Sequence, residues 1–388
     1  MGVIERPKLF TCLPRERYVS QEWFEREMEE VVLRQWIFFA HESQLPAPGD
    51  VLVREIGDES IVATRDQAGE VHAFFNVCRH RGYRICDPGP GSAKHIVCPY
   101  HRWSWGLDGS LSGAPTLRDG EDFEFADYGL NRVHVEVWCG LVFVALGAQP
   151  PASSVAAGLR EAAAHVEPFA PERTKLAHHI DYEVECNWKV LMENFMECYH
   201  CRGSHPEFCA TSDVPRLEES IDEITFDFMG REYNWGQFPL REGAKSFTLD
   251  GERACRLNLG TAGPETMSYG VSIQPTLTAL AFVPGYAIVH QFAPITIDRT
   301  RWTAQWLVHA DAVEGEDYEV EDLIAIWDAT NRQDIELCER TQLGVKSRSF
   351  TPGPNSPTRE PQIRSALAAY HRLLGEDDLY EELTGERP

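Results

Sequence analysis

Residues 78–86, CRHRGYRIC, and residues 98–105, CPYHRWSW, carry the pattern that decides one of the domains of this chain. Each stretch supplies one cysteine and one histidine, Cys78-x-His80 and Cys98-x-x-His101, with 17 residues between His80 and Cys98. Thiolates and imidazoles together bind zinc or iron. Structural zinc sites usually take like ligands in pairs from one element, as C-x2–4-C and H-x3–5-H. Here both pairs are mixed. A [2Fe–2S] cluster with both cysteines on one iron and both histidines on the other asks for that division. Two loops that each give one of either kind can set the like ligands together at opposite ends of the cluster. Cys86 has no adjacent histidine and reads as a packed, unligated thiol.

Outward from these loops the sequence is β-rich. Short runs at 51–56, 60–66, 71–77, 95–100 and 140–146 are separated by turn clusters such as DPGPGS at 87–92, the pattern of a small antiparallel β domain over 45–150. Before it, residues 20–40 open with Ser20 as a helix cap and continue at helical spacing, so 1–44 is expected to be a helical segment packed on the rest. After it, the linker-like AQPPASSVAAG at 148–158 leads into a second domain over 151–388. Long β-like runs at 269–295 and 302–310 and an acidic helical stretch from Glu314 to Leu343 give that domain an antiparallel sheet and flanking helices. The fold class is α+β.

The chain has 388 residues and a formal net charge of −25, which argues against nucleic acid and anionic membranes as partners and mildly favours cationic ligands. No apolar run approaches the length of a membrane span. The N-terminus lacks an apolar leader, and an odd count of 11 cysteines without framework spacing fits a reducing compartment. A cytoplasmic enzyme is expected.

The second stretch that carries chemistry is NWKVLMENFMECYHCRGSHPEF, residues 187–208. Trp188, Leu191, Met192, Phe195 and Tyr199 follow helical spacing, so Glu193, Asn194, Glu197 and His200 lie on or beside an apolar helix, where burial is costly unless they bind something. His200 and His205 on one continuous helix would point about 140° apart. Gly203 and Pro206 predict that the helix ends between them, which lets His205 turn back. Two histidines and one carboxylate form the facial triad of non-haem Fe(II) oxygenases. Candidates for the carboxylate lie on the late helix: Asp328, Asp334, Glu336 and Glu339. Asp334 is preferred because it shares a stripe with Trp327, Asn331 and Cys338.

The Cys/His loops resemble the Rieske domain of ring-hydroxylating oxygenase large (alpha) subunits. The run NWK…ENFxECYHCxxxH resembles the catalytic iron motif of that family, and NRQDIELCE at 331–339 resembles the region of its third ligand. The resemblance covers nearly the whole chain. It implies Cys78, His80, Cys98 and His101 as ligands of one Rieske [2Fe–2S] cluster, and His200, His205 and Asp334 as ligands of one mononuclear Fe(II), with O2 as cosubstrate. It also implies Glu197 as a hydrogen-bonded bridge to a Rieske histidine of a neighbouring subunit, and so a head-to-tail ring, a homotrimer. Many members carry Asp at that position. Glu197, with a motif one residue shorter after Asn194-Phe195, is similar to the branch of choline, carnitine, glycine betaine and proline betaine oxygenases.

That branch implies monooxygenation at an N-methyl carbon and N-demethylation of a quaternary ammonium compound. Asn194, Phe195, Trp235 and Tyr286 are the candidate substrate contacts, the aromatic faces suiting a cation, with further aromatics in 226–238. Electrons from NAD(P)H are expected through a separate flavin/iron–sulfur reductase, because no GxGxxG stands in a Rossmann context. A hydroxylase or dioxygenase of an aromatic or natural-product substrate is the alternative. An electron carrier or zinc-stapled binding protein is more distant, having no use for the His200, His205 and Asp334 set.

Overall fold

The computed structural model describes residues 9–120, 122–216, 233–262, 268–275 and 277–386. They form two compact units, Leu33–Val155, and residues up to Val32 together with those from Ala156 onward. Among the described residues no helix is long and apolar enough to cross a membrane.

The smaller unit begins at Leu33, twelve residues before the boundary expected from sequence, because of its first strand. The helix capped by Ser20 covers only Gln21–Glu27 and passes through a π-helical turn at Met28–Val32. Residues Ile37–His41 (β1) are then a strand with every residue buried. The run IFFAH is apolar on both faces, so it has no period by which to tell helix from strand. Its ladder with Leu141–Ala145 decides the matter.

The strands of this unit follow in chain order as β2 (Asp50–Ile56), β3 (Glu59–Arg65), β4 (Val71–Phe75), β5 (Gly89–Ser92), β6 (Ile96–Val97), β7 (Ser104–Trp105), β8 (Leu111–Gly113), β9 (Arg132–Trp138) and β10 (Leu141–Ala145). They make an antiparallel sheet in the order β1-β10-β9-β4-β3-β2-β5 and a small sheet β6-β7-β8. Phe74, Trp103, Trp105, Leu107 and Leu111 fill the core on which the two Cys/His loops rest.

The larger unit carries one antiparallel sheet of β11 (Thr174–Val184), β12 (Tyr233–Phe238), β13 (Ser268–Ile273), β14 (Thr278–Val283), β15 (Tyr286–Thr296) and β16 (Arg299–His309). Their order is β11-β16-β15-β14-β13-β12. On β15, His290 and Phe292 point to one face by the two-residue period of a strand, and Phe292 lies opposite Trp302 of β16. The helix Trp188–Phe195 covers this face through Phe195, whose ring is 5.1 Å from Phe292 and 6.0 Å from Trp302. The long helix Val320–Val345 covers it through Trp327, 5.5 Å from His290. Helices and sheet are segregated, as an α+β fold requires.

Candidate metal centres and active site

The two Cys/His loops have the same backbone form. The Cys78 carbonyl accepts the Gly82 N–H at 2.9 Å, and the Cys98 carbonyl accepts the Arg102 N–H at 3.0 Å. Gly82 and Arg102 both occupy the left-handed region, with φ of 72° and 64°. Each loop therefore turns back four residues after its cysteine. The thiols of Cys78 and Cys98 are buried, while His80 is exposed and His101 half-buried. The two imidazoles lie 4.7 Å apart, and Trp103 stacks on His80 at 4.9 Å. Burial, and then the adjacent Cys98 thiol, raise the Cys78 thiol above its ordinary value. Two buried sulfurs on one side and two outer imidazoles on the other fit a [2Fe–2S] cluster held by mixed pairs. Cys86 stands apart: Asn76 Oδ1 accepts its N–H at 2.9 Å, and burial, then Asp87, push its thiol up to about 11, which makes it inert.

In the larger unit the helix that begins at Trp188 ends at Phe195, not between Gly203 and Pro206. Asn187 caps its start, accepting the Lys189 N–H. Its early end has a local cause. The Glu197 carboxylate turns back to accept the backbone N–H groups of Tyr199 and His200, as a cap does, and a new short helix, Cys201–Ser204, starts from that turn. Tyr199, expected on the buried stripe, is 60% exposed for this reason. His205 then adopts φ −122°, an extended conformation suited to the residue before a proline. The break brings His200 and His205 to one side.

Their Nε2 atoms are 3.0 Å apart, and Asp334 Oδ1 lies 3.2 Å from His200 Nε2 and 3.0 Å from His205 Nε2. Each Nδ1 is engaged elsewhere, His200 with Glu197 Oε1 at 2.5 Å and His205 with Gln333 Oε1 at 2.8 Å. Gln333 is oriented in turn, its Nε2 donating to Glu207 at 2.8 Å. Each Nδ1 is therefore engaged outward, and each Nε2 is the nitrogen that faces the carboxylate. Among the described residues Asp334 Oδ1 has no hydrogen-bond partner despite its burial. One cation shared by all three atoms would satisfy them together, and two imidazole nitrogens with one carboxylate oxygen are the donor set that suits a non-haem Fe(II).

Burial opposes a proton on His200, but Asp334 and Glu197 outweigh it and raise its pKa to about 9. Burial would raise Asp334, yet the two imidazoles hold it below the ordinary carboxylate range. Cys201 also has its sulfur within 4.8 Å of both histidines' ligand atoms, but it is paired with Cys198 in a disulfide and offers no thiolate.

The other acids of the long helix serve elsewhere. Asp328 accepts from the Tyr182 hydroxyl at 2.6 Å and pairs with Arg332. Glu336 pairs with Arg340 at the surface, and Glu339 accepts the Glu185 N–H.

A cavity of about 150 Å³ opens beside the triad. Asn194, Phe195, Glu197 and Trp235 line it, as does Trp327, and among the described residues no lysine or arginine does. Tyr286 does not line it. That ring is fully buried, accepts from Trp327 Nε1 at 2.7 Å and donates to the Phe247 carbonyl at 2.6 Å, so it stands behind the wall and holds Trp327. Of the aromatic run 226–238, residues 226–232 lie outside the described residues. Sequence reasoning missed Gln333, Glu207 and His290. His290 left one signal: a histidine inside the apolar run 269–295, at a strand position where burial is costly without a partner.

Comparison with known proteins agrees with this geometry. The family pattern for the Rieske [2Fe-2S] domain matches residues 35–129, and the pattern for the ring hydroxylating alpha subunit (catalytic domain) matches residues 171–376. The glycine betaine monooxygenase oxygenase subunit of Pseudomonas aeruginosa is 36% identical, over 93% of this chain and 89% of its own. The carnitine monooxygenase oxygenase subunit of Escherichia coli is 31% identical, over 89% of this chain and 87% of its own. A solved quaternary ammonium Rieske monooxygenase superposes with a TM-score of 0.74 at 25% identity, covering 95% of this chain and 96% of the other. A catalytic-domain match over more than half of the residues, with relatives above 30% identity along most of the length, settles the family: the chain is a Rieske-type oxygenase alpha subunit, an O2-using oxidoreductase with a Rieske [2Fe–2S] domain and a mononuclear-iron catalytic domain.

Proposed function

We propose that this chain is the oxygenase component of a monooxygenase that N-demethylates a quaternary ammonium carboxylate, a betaine. The observation that carries the reading is the cavity wall. Phe195, Trp235 and Trp327 and the carboxylates of Glu197 and Asp334 line it, with no lysine or arginine among the described residues, a setting that favours a cation through ring quadrupoles and charge. The relatives named for glycine betaine and carnitine support the same substrate class.

His200, His205 and Asp334 would hold the mononuclear iron, and Cys78, His80, Cys98 and His101 the Rieske cluster. When bound, the iron activates O2 for insertion into a C–H bond next to nitrogen. The protein's own part is orientation: Glu197 fixes the ring of His200, Gln333 and Glu207 fix that of His205, and the aromatic wall presents an N-methyl carbon toward the triad. A hydroxylated N-methyl carbon then releases formaldehyde and a proton, leaving the tertiary amine.

Electrons would arrive singly from a separate reductase. Glu197, bonded to His200 Nδ1 and next to the exposed Tyr199, would bridge to an exposed Rieske histidine of a neighbouring subunit in a head-to-tail homotrimer. Eleven cysteines, only Cys198 and Cys201 of them paired among the described residues, suit a cytoplasmic setting.

The test is formaldehyde release from glycine betaine, carnitine, choline and neutral aromatic compounds, with NADH and a surrogate reductase. Formaldehyde from a betaine, lost in Asp334→Ala with the Rieske spectrum intact, is the expected result. Oxygenated product from a neutral aromatic alone would overturn the substrate class.

A further inference from the structure

His290 is the group in the cavity wall whose chemistry the demethylation reading leaves unused. It sits on β15, 1% exposed, and lines the same cavity as Asp334. Its ring is enclosed by Phe195 at 5.2 Å, Trp302 at 5.6 Å and Trp327 at 5.5 Å. Trp302 Nε1 is 3.0 Å from His290 Nδ1. An indole nitrogen only donates, so Nδ1 must be the acceptor and the ring proton must reside on Nε2. That Nε2–H is buried and has no partner among the described residues. An unmet buried donor forfeits its bond to water with nothing in return. Among these three aromatic neighbours an apolar residue would be favoured unless something in the cavity accepts the bond.

The charge state narrows what that acceptor is. Burial holds the imidazole neutral, with its pKa near 3. An arginine or lysine at this place would bind an anion more strongly, but it would repel an ammonium held a few ångströms away. A betaine carries both charges within one small molecule. A neutral donor recognises its carboxylate without opposing its cation. We propose that His290 is a specificity-determining residue, its Nε2–H donating to the carboxylate oxygen of a zwitterionic quaternary ammonium substrate while Trp302 fixes the tautomer. This rests on the demethylation reading and adds the anionic end of the substrate to it.

The experiment is calorimetric titration of the iron-loaded holoenzyme under anaerobic conditions with two probes. One is glycine betaine. The other is ethyltrimethylammonium, the same cation with a methyl group in place of the carboxylate. His290→Phe should raise Kd for glycine betaine about 10- to 100-fold, as the loss of a hydrogen bond to a charged group predicts. Kd for ethyltrimethylammonium should change less than twofold, and His290→Gln, which restores a donor, should recover part of the loss. The Rieske absorbance and iron content verify folding in each variant. His290→Phe leaves the Trp302 donor unmet, so the double variant His290→Phe/Trp302→Phe is measured beside it and should show the same discrimination between probes. Equal weakening of both probes would make His290 a packing residue and overturn the proposal, as would unchanged binding of both. Failure of the wild-type protein to bind either probe would overturn the demethylation reading itself, and this proposal with it.

Discussion

Glu193 shows how one residue can look functional in sequence and prove structural in the fold. It stands among the polar groups of 187–208, whose burial on an apolar helix points to a ligand, but its carboxylate accepts the Tyr18 hydroxyl at 2.6 Å. Burial raises it from 4.5 to about 7, against the lowering effect of the Tyr18 bond and of Lys189. The folded chain thus keeps a proton that the unfolded chain releases between pH 4.5 and 7. Stability from this group is present below that window and lost as pH rises through it. Glu193→Gln should leave denaturant stability unchanged near pH 4.5 and increase it at pH 8 by up to about 3 kcal/mol, and an equal effect at both pH values would contradict the assignment. Asp334 is the opposite case. Its stripe with Trp327, Asn331 and Cys338 was legible by helical period, and all four are buried as that period requires. The orientation of the histidines by Gln333 and Glu207 was not, because Glu207 and Gln333 lie 126 residues apart and meet only in the fold.

At the scale of elements, the amphipathic period located the helices but not their ends. The helix from Trp188 stops at Phe195 because a side chain, Glu197, competes for backbone N–H groups just beyond it. No count of apolar positions contains that information. The N-terminal helix is tied to its neighbours by a group that sequence also left unmarked. Glu27 ends the helix Gln21–Glu27 and is fully buried. It pairs with buried Lys189, accepts Trp188 Nε1 at 3.2 Å and accepts the Tyr370 hydroxyl at 2.5 Å. Three helices thus converge on one carboxylate. Glu27→Ala strands the Lys189 charge and should cost about 3–5 kcal/mol in urea denaturation, with Glu27→Leu/Lys189→Met recovering part of it. A loss below about 1 kcal/mol would mean that water reaches Lys189.

The whole molecule joins a cluster domain to an oxygenase domain, and the proposed ring makes each active site the work of two subunits. Glu197→Gln should leave both metal contents and the Rieske spectrum intact while stopping turnover. His101→Ala should lose the Rieske cluster and stop turnover as well. Co-expressed, the two inactive variants should regain activity, because a Glu197→Gln subunit still offers its Rieske cluster to the intact Glu197 and triad of a His101→Ala neighbour. Mixed rings that stay inactive would place electron transfer within one subunit.

The sequence by itself determined the identity of the chemistry. The mixed spacing of Cys78, His80, Cys98 and His101, the His200 and His205 pair, and the Asp334 stripe are local patterns, and ligand type and period are written in neighbouring residues. Only the tertiary structure decided how those parts are held and what surrounds them. IFFAH became β1 because Leu141–Ala145 was there to pair with it. Tyr286 went behind the wall because Trp327 and Phe247 engaged its hydroxyl. His290 kept a donor without a partner among the described residues because Trp302, on the next strand, took its other nitrogen. Burial and hydrogen-bond partners are set by residues distant in the chain, and they decide which polar groups are already satisfied and which remain to meet a ligand.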